Sequence, residues 1–410
     1  MGEEGTILDA ASIADVHDFP YRDREGNEPS YTYKVPEATH YLYIEACGGS
    51  GRHATGGESG GPGGAGVIAG LIPVVPQETL SIFVGDGAGE GWQGRAGYRP
   101  GGDGGRIDAV PSNGGGGGGS TAVVDARGRL LLHAGGGGGC GGRGGSPGFW
   151  QDGGDGGAAG LAPGNGTSGE AGNPSSPGGD GGQGGDPRRT DRGGNGGGGG
   201  GGLHCGDGGG VGSGAPSGGG GGGGGGVSDI IGSAIGVSEA HKGPVVGYVK
   251  ISQRGSQRAA VMSSAFKDVF LRLDGAGLTQ HHPIGGVVNC QYTGAGHFEH
   301  FYVRPQRDGT VVIESEQFLD VYLRIDGTGL SRERPTGAGL VNCRYGTDPL
   351  TFFRIVARPG RLLAIESVAF PGVFLGMDGH GVDRVLPEGG GKVYCRFDAS
   401  GWEALRMPVT

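Results

Sequence analysis

The sequence predicts an all-β protein in two parts, and three observations lead there. Short segments of alternating or clustered apolar, β-prone residues recur through the first 253 residues. Between them stand runs of pure glycine, and from Ala259 the chain repeats itself three times at a spacing of 52 residues. The repeats show period-2 patterning and no helical period.

Of the 410 residues 106 are glycine, about a quarter against a usual ~7%. Most of them lie between Tyr41 and Lys250, so one uniform globular fold is excluded and two kinds of domain are expected. Collagen would need a strict Gly-X-Y period with abundant proline, whereas the chain has 23 prolines and long unbroken glycine runs. The net charge of -10 resides in the front half, and the back half is nearly neutral. Neither half has the basic footprint that phosphate binding needs, so nucleic acid and anionic membrane surfaces are not expected partners. No apolar run is long enough for a membrane span, and the opening MGEEGTILDAASIADVHDFP lacks the features of a secretory signal. Arginine outnumbers lysine 27 to 5, which hints at a GC-rich bacterial source.

After an N-terminal segment (1–30), strands are expected at 31–35, 40–46, 67–75, 79–84, 120–125, 130–133 and 245–251. STAVVDARGRLLLHA reads as a hairpin that turns at Ala126, Arg127 and Gly128. The glycine runs 114–119, 135–139, 196–202 and 218–226 abut these strands. Ordering them costs roughly 1–2 kcal/mol of backbone entropy per residue, and glycine has the most freedom to lose. Two readings are open: a flexible linker, or a lattice of polyglycine II helices, three residues per turn, close enough for N–H to C=O bonds between helices. Strands on both sides favour order.

The blocks YTYKVPEATHYLYIEACGGSG, GGPGGAGVIAGLIPVVPQETLSIFVGDGAG, GGGGGGSTAVV, RLLLHAGGGGGCGG and GGNGGGGGGGLHCGDGGG, closing with VVGYVKIS, carry a resemblance. In their order they resemble the glycine-rich extracellular domain of anaplastic lymphoma kinase and leukocyte tyrosine kinase, and bacterial glycine-rich surface proteins. The resemblance spans 31–253 and implies a jelly-roll sandwich of tumour-necrosis-factor type with an inserted polyglycine II bundle. In the receptors this region binds protein ligands, which makes a protein ligand an expected partner for the glycine-rich half.

After a linker at 254–258, the region 259–410 divides into repeats 259–309, 310–361 and 362–410. Phe270, Tyr322 and Phe374 recur at one position, as do Asp274, Asp326 and Asp378. Three four-stranded units with pseudo-threefold symmetry make a β-trefoil. Its expected core is Val261, Ile313 and Ile365, with Phe266, Phe318, Phe370, Val269, Val321 and Val373. The motif, seen in DVYLRIDGTGL and LVNCRY, resembles the fascin-like β-trefoil and, less closely, the trefoil sugar-binding module of arabinofuranosidases. The resemblance implies a binding domain without chemistry of its own, for carbohydrate or, in fascin, for actin.

The candidate ligand-binding residues are Asp274, Asp326 and Asp378, with Arg272, Arg324, Asn289 and Asn342. Each aspartate precedes glycine in a D-G-x-G run, where capping of a tight turn competes with acceptance from a sugar hydroxyl. Arg272 and Arg324 are expected to pair internally with those aspartates. The third repeat has Gly376 in place of the arginine and Tyr394 in place of the asparagine, so its pocket is expected to be altered or dead. Cys290, Cys343 and Cys395 read as buried thiols packing as small hydrophobes near the threefold axis. His133, Cys140, His204 and Cys205 have no metal-type spacing, and a Cys140–Cys205 disulfide is the better reading if the protein is extracellular.

No nucleophile-base set, carboxylate pair, metal motif or cofactor fingerprint stands out. The expected function is therefore non-enzymatic: a secreted or surface-delivered protein whose trefoil binds carbohydrate on a target cell. Its glycine-rich half would act as a rigid, potentially homotrimeric stalk or as a second binding head. Two rivals stand beside it, a bacterial toxin whose trefoil is the receptor-binding domain and an actin-binding protein.

Overall fold

The structure, a computed structural model, describes residues 16–22, 30–55, 61–105, 113–146, 149–151, 155–156, 158–159, 196–203, 206, 208–209, 225–253, 256–292, 296–335, 339–360, 362–383, 391–398 and 401–408. The protein is all-β. In the front half two five-stranded antiparallel sheets face each other. One runs in the order His17–Pro20, Tyr248–Ser252, Tyr41–Cys47, Ala65–Pro73, Ile235–Lys242. The other runs Asp229–Ile230, Leu130–Ala134, Thr121–Val124, Thr79–Phe83, Tyr31–Lys34. Leu42, Ile44, Ile68, Ile72, Leu80, Ile82, Val123, Leu132, Val249 and Ile251 fill the space between them.

All seven strands expected in the front half are present within three residues of their expected ends. The hairpin turns where it should: Asp125 Oδ1 accepts from the amides of Arg127 and Arg129 at 2.9 and 2.8 Å, and Gly128 supplies φ +78°. Strands at His17–Pro20, Asp229–Ile230 and Ile235–Lys242 were not expected. The last lies on a sheet edge with its outer half exposed, so SEAHK carries no apolar alternation to betray it.

The described glycine runs, 114–119, 135–139 and 196–202, are ordered rods; most of the run at 218–226 lies outside the described residues. Donation from 114–119 repeats every third residue: Gly115 and Gly118 to Cys140 O and Gly137 O, Gly116 and Gly119 to Gly91 O and Asp86 O, Gly114 and Gly117 to Gly105 O and Gly102 O. The same rod accepts from Gly49 and Arg52, from Arg95, and from Gly198 and Gly201. It therefore bonds to six neighbouring segments, and every backbone N–H from Gly114 to Gly119 finds a carbonyl. Close approach requires the missing side chains: a Cβ on Gly115, Gly116, Gly117, Gly118 or Gly119 would lie 1.9–2.1 Å from a backbone oxygen of a neighbouring segment.

In the back half three hairpins recur: Val269–Asp274 with Ile284–Tyr292, Val321–Asp326 with Leu340–Tyr345, and Val373–Asp378 with Gly391–Phe397. Val261, Ile313, Ile365, Val269, Val321 and Val373 are buried as expected, and Phe301, Phe353 and Leu405 join them. Phe266, Phe318 and Phe370 differ from expectation. They are only partly buried, each lying against the preceding copy's D-G turn: a Cβ on Gly275, Gly327 or Gly379 would meet Phe318, Phe370 or Phe266 at 3.1, 2.7 and 2.8 Å. These rings seal the junctions between copies.

The three thiols close the same cycle. Cys343, Cys395 and Cys290 each donate to the carbonyl of an aspartate in a neighbouring copy, Asp274, Asp326 and Asp378, at 3.5, 3.7 and 3.4 Å. Burial pushes each thiol from the usual 9.0 up to about 12. A raised folded pKa favours the protonated form, so this contribution is complete below pH ~9 and is lost as pH rises toward about 12. Native protein should therefore resist iodoacetamide at pH 8 at these cysteines and become alkali-labile above pH 9; a shift of the alkaline midpoint by Cys343→Ala would report the linkage. Rapid alkylation of any of the three in folded protein at pH 8 would contradict it.

Gln257–Ala260, which begins inside the expected linker at 254–258, is a strand paired with His300–Pro305. The halves are joined by more than chain. Gly236 and Val237 donate to Met407 O at 2.9 and 3.3 Å, and Tyr41, Leu71 and Ile235 belong to the same apolar cluster as Val261, Phe301 and Phe353.

Candidate functional site

The D-G-x-G aspartates all cap their own turns. Asp274, Asp326 and Asp378 each accept through Oδ1 from the amide two residues on, at 3.1, 3.0 and 3.0 Å. What the second oxygen meets separates the copies. In the first, the Arg272 guanidinium lies 3.5 Å from Asp274 Oδ2 and 3.7 Å from Glu299, stacked 4.3 Å from the Phe298 ring centroid. In the second, Arg324 reaches Asp326 Oδ2 at 3.2 Å, Asp348 at 3.4 Å and Asn342 Oδ1 at 3.4 Å, and Arg344 also pairs with Asp348. Asn289 stands opposite Arg272 in the strand pair, as Asn342 stands opposite Arg324. Both arginines thus form the internal pairs expected of them.

The third copy is rebuilt. Gly376 faces Tyr394 across the hairpin, and a Cβ on Gly376 would lie 2.4 Å from the tyrosine ring. The phenol takes the space given up by the guanidinium and donates to Glu403 at 2.8 Å. Glu403 is fully buried and also meets Arg396 at 3.4 Å. Asp378, freed from an arginine, borders an open hollow of about 550 Å³ together with Val288, Lys392, Tyr394, Arg396 and Trp402. Beside it the rings of Phe266, His380 and Trp402 lie 5.0–5.6 Å apart, and His380 Nδ1 is 2.6 Å from Asp378 Oδ1. Burial works to raise the Asp378 pKa, but the amide and ring of His380 and the Lys392 charge outweigh it and hold the carboxyl below its usual range.

The place of the missing arginine in the third copy thus borders an open hollow. Sequence reasoning did not single out Phe266, His380, Lys392 or Trp402 as site residues. A signal was present for three of them: at 380, 392 and 402 the third copy departs from Ala276 and Thr328, from Val287 and Leu340, and from Phe298 and Leu350.

Among the described residues, one trio has metal-type ligands close together: His297, His300 and Glu316. The Arg258 guanidinium fills its centre, 2.7 Å from His300 Nδ1 and 2.9 Å from Glu316 Oε2, so a cation would have to displace another cation. In the front half His133 is buried with Nε2 2.8 Å from Ser120 Oγ, and burial, aided by the Arg99 charge, lowers its pKa to about 3. It is a neutral structural imidazole. Cys140 Sγ exchanges hydrogen bonds with Arg52 O and the Ala54 amide at 3.4 and 3.0 Å. Its expected partner Cys205, like His204, lies outside the described residues. Among the described residues no helix is long and apolar enough to cross a membrane.

No protein-family model and no curated protein matches the chain. Similar solved structures include a mosquitocidal holotoxin, 8% identical, with a TM-score of 0.30 over 38% of this chain and 17% of that one. A Polyporus squamosus lectin solved with a sialylated epitope is 14% identical, with a TM-score of 0.28 over 38% of this chain and 50% of the lectin. An endo-β-galactosidase from Clostridium perfringens is 6% identical, with a TM-score of 0.28 over 93% of this chain and 73% of the enzyme. The chain thus spans about a sixth of the toxin and half of the lectin. At these scores the likenesses carry no argument about function.

Proposed function

We propose that the protein is a non-enzymatic carbohydrate-binding protein, secreted or delivered to a surface. Its threefold back half is read as a fascin-like β-trefoil that recognises glycan. Its front half is read as a jelly roll with an inserted polyglycine II bundle, serving as a rigid scaffold or second binding head. The observation that supports this is the hollow in the third copy, bordered by Val288 of the first and Gly339 of the second, where the Trp402 and His380 rings lie beside the Asp378 carboxylate. A sugar ring offers C–H groups to an aromatic surface and hydroxyls to a carboxylate and an ammonium, and the hollow combines those partners. Glycosidic cleavage usually employs two carboxyl groups flanking the bond. Here Asp378 is the one carboxylate among the described lining residues, since Glu403 is buried behind Tyr394.

The test is a glycan array probed with the full chain and with Asp378→Asn, which retains an oxygen to cap the His380 amide. Binding by the parent, reduced at least about tenfold in the variant, is expected from the loss of a charge-assisted hydrogen bond of ~1.5–3 kcal/mol. Silence of the full chain across the array would discard the carbohydrate reading.

A further inference from the structure

We infer that the chain carries a single working glycan site, at the hollow of the third copy, and that its ligand is an uncharged sugar. This rests on the carbohydrate reading above and adds valency, location and ligand class. Threefold symmetry offers three equivalent places. At two of them the second aspartate oxygen is already engaged by a guanidinium, whose side chain is only 20% exposed at Arg272 and 11% at Arg324. A ligand hydroxyl there would have to displace an ion pair.

In the third copy the departures converge. Gly376 removes the arginine; Tyr394 fills its space and takes over contact with Glu403, as Arg272 contacts Glu299; Lys392 and Trp402 line the hollow, and the His380 ring packs on Trp402. Of these five changes in one repeat three line the hollow, Lys392, Tyr394 and Trp402, and the other two, Gly376 and His380, adjoin Tyr394 and Trp402, so they mark a place where symmetry has been given up for a purpose that folding does not require. Leu350 occupies the position of Trp402 in the second copy, where the fold closes equally well.

The ligand class follows from charge. Asp378 and Lys392 are directly opposite in the strand pair, and Arg396 meets Glu403 at 3.4 Å. The Lys392 charge already acts on the Asp378 carboxyl across the strand pair, and Arg396 is held by Glu403, so a carboxylate or sulfate on the ligand would compete with Asp378 for Lys392 and meet its repulsion. An uncharged sugar, stacked on Trp402 and sharing hydroxyls between Asp378 and Lys392, meets both without leaving a charge unpaired.

The experiment titrates the full chain with methyl glycosides of glucose, galactose, mannose and N-acetylglucosamine, and with methyl glucuronide as the acidic probe. It is read by ¹⁹F NMR of protein labelled with 5-fluorotryptophan. Of the three tryptophan resonances, the one that disappears in Trp402→Leu should shift with a neutral glycoside. Trp402→Leu should weaken binding of that glycoside at least tenfold in ligand-observed NMR, while Phe298→Leu, the matching change in the first copy, should leave it within twofold. Equal losses from the two variants, or binding retained in Trp402→Leu, would overturn the single site. Tighter binding of the glucuronide would overturn the ligand class. No binding by any probe, together with a silent array, would bring down the carbohydrate reading itself; array binding that Trp402→Leu leaves intact would overturn only the location.

Discussion

Gly117→Ala is expected to prevent the front half from assembling. Gly117 sits inside the rod at 114–119, donating to Gly102 O and accepting from Arg95. An added methyl carbon would lie 1.9 Å from Gly199 O and 2.5 Å from its carbon. Overpacking in an ordinary core usually costs 1–3 kcal/mol because side chains can rotate aside. Here the obstacle is backbone, and it is itself fixed: Gly198 and Gly201, on either side of Gly199 and Gly200, donate to Gly115 O and Gly118 O of the same rod, and Gly199 O accepts from Gly102. Separating the rods by more than an ångström would break several buried backbone bonds, each costing ~1–3 kcal/mol when left unsatisfied. A loss on the order of 4 kcal/mol or more is therefore expected, in the range that unfolds marginal proteins. Gly243→Ala is the matched control, since a Cβ there meets nothing within 4 Å, and it should change stability by less than ~0.5 kcal/mol. Chemical denaturation of both variants against the parent decides the matter; a Gly117→Ala protein as stable as the control would mean that the rods are not packed as described.

The same contrast explains what could be read from the sequence. Strands such as Tyr41–Cys47 and Thr79–Phe83 were legible because alternating side chains record which face is buried. The glycine runs have no side chains to record anything. The flanking strands favoured an ordered state over a flexible linker, but nothing in the runs could record that Gly118 faces Gly137 or that six segments surround the rod at 114–119. The threefold repeat was legible from spacing alone, and it also concealed the candidate site. Equivalence by position suggested equal roles for Asp274, Asp326 and Asp378, whereas an Arg-to-Gly exchange two residues upstream gives the third a different neighbourhood. Lys392 reaches Asp378 through the pairing of the third hairpin, whereas Trp402, Val288 of the first copy and Gly339 of the second come around the same hollow only when the copies close on one another.

Phe301→Ala is expected to destabilise both halves together. Phe301 is fully buried, and removing such a ring from a core costs ~3–5 kcal/mol through lost transfer energy and the cavity left behind. Its cluster extends across the chain's two composition regimes, because Tyr41, Leu71 and Ile235 of the front sheet share it with Val303, Ile313 and Phe353. The Ile235–Lys242 edge strand is further tied by Gly236 and Val237 to Met407 O. If that shared cluster couples the halves, the front sandwich cannot keep its edge strand in place while the threefold unit loosens. Unfolding should then be one transition for both. Hydrogen exchange measured on 114–119 in the glycine lattice and on 321–326 in the second copy should show equal loss of protection in Phe301→Ala. Protection retained at 114–119 while 321–326 opens would mean that the halves are independent bodies in contact. The isolated fragment from Ala259 onward would then fold unaided. On the coupled reading it exposes Val261 and its neighbours where Tyr41, Leu71 and Ile235 had covered the cluster, and it should be less stable than the same residues in the whole chain.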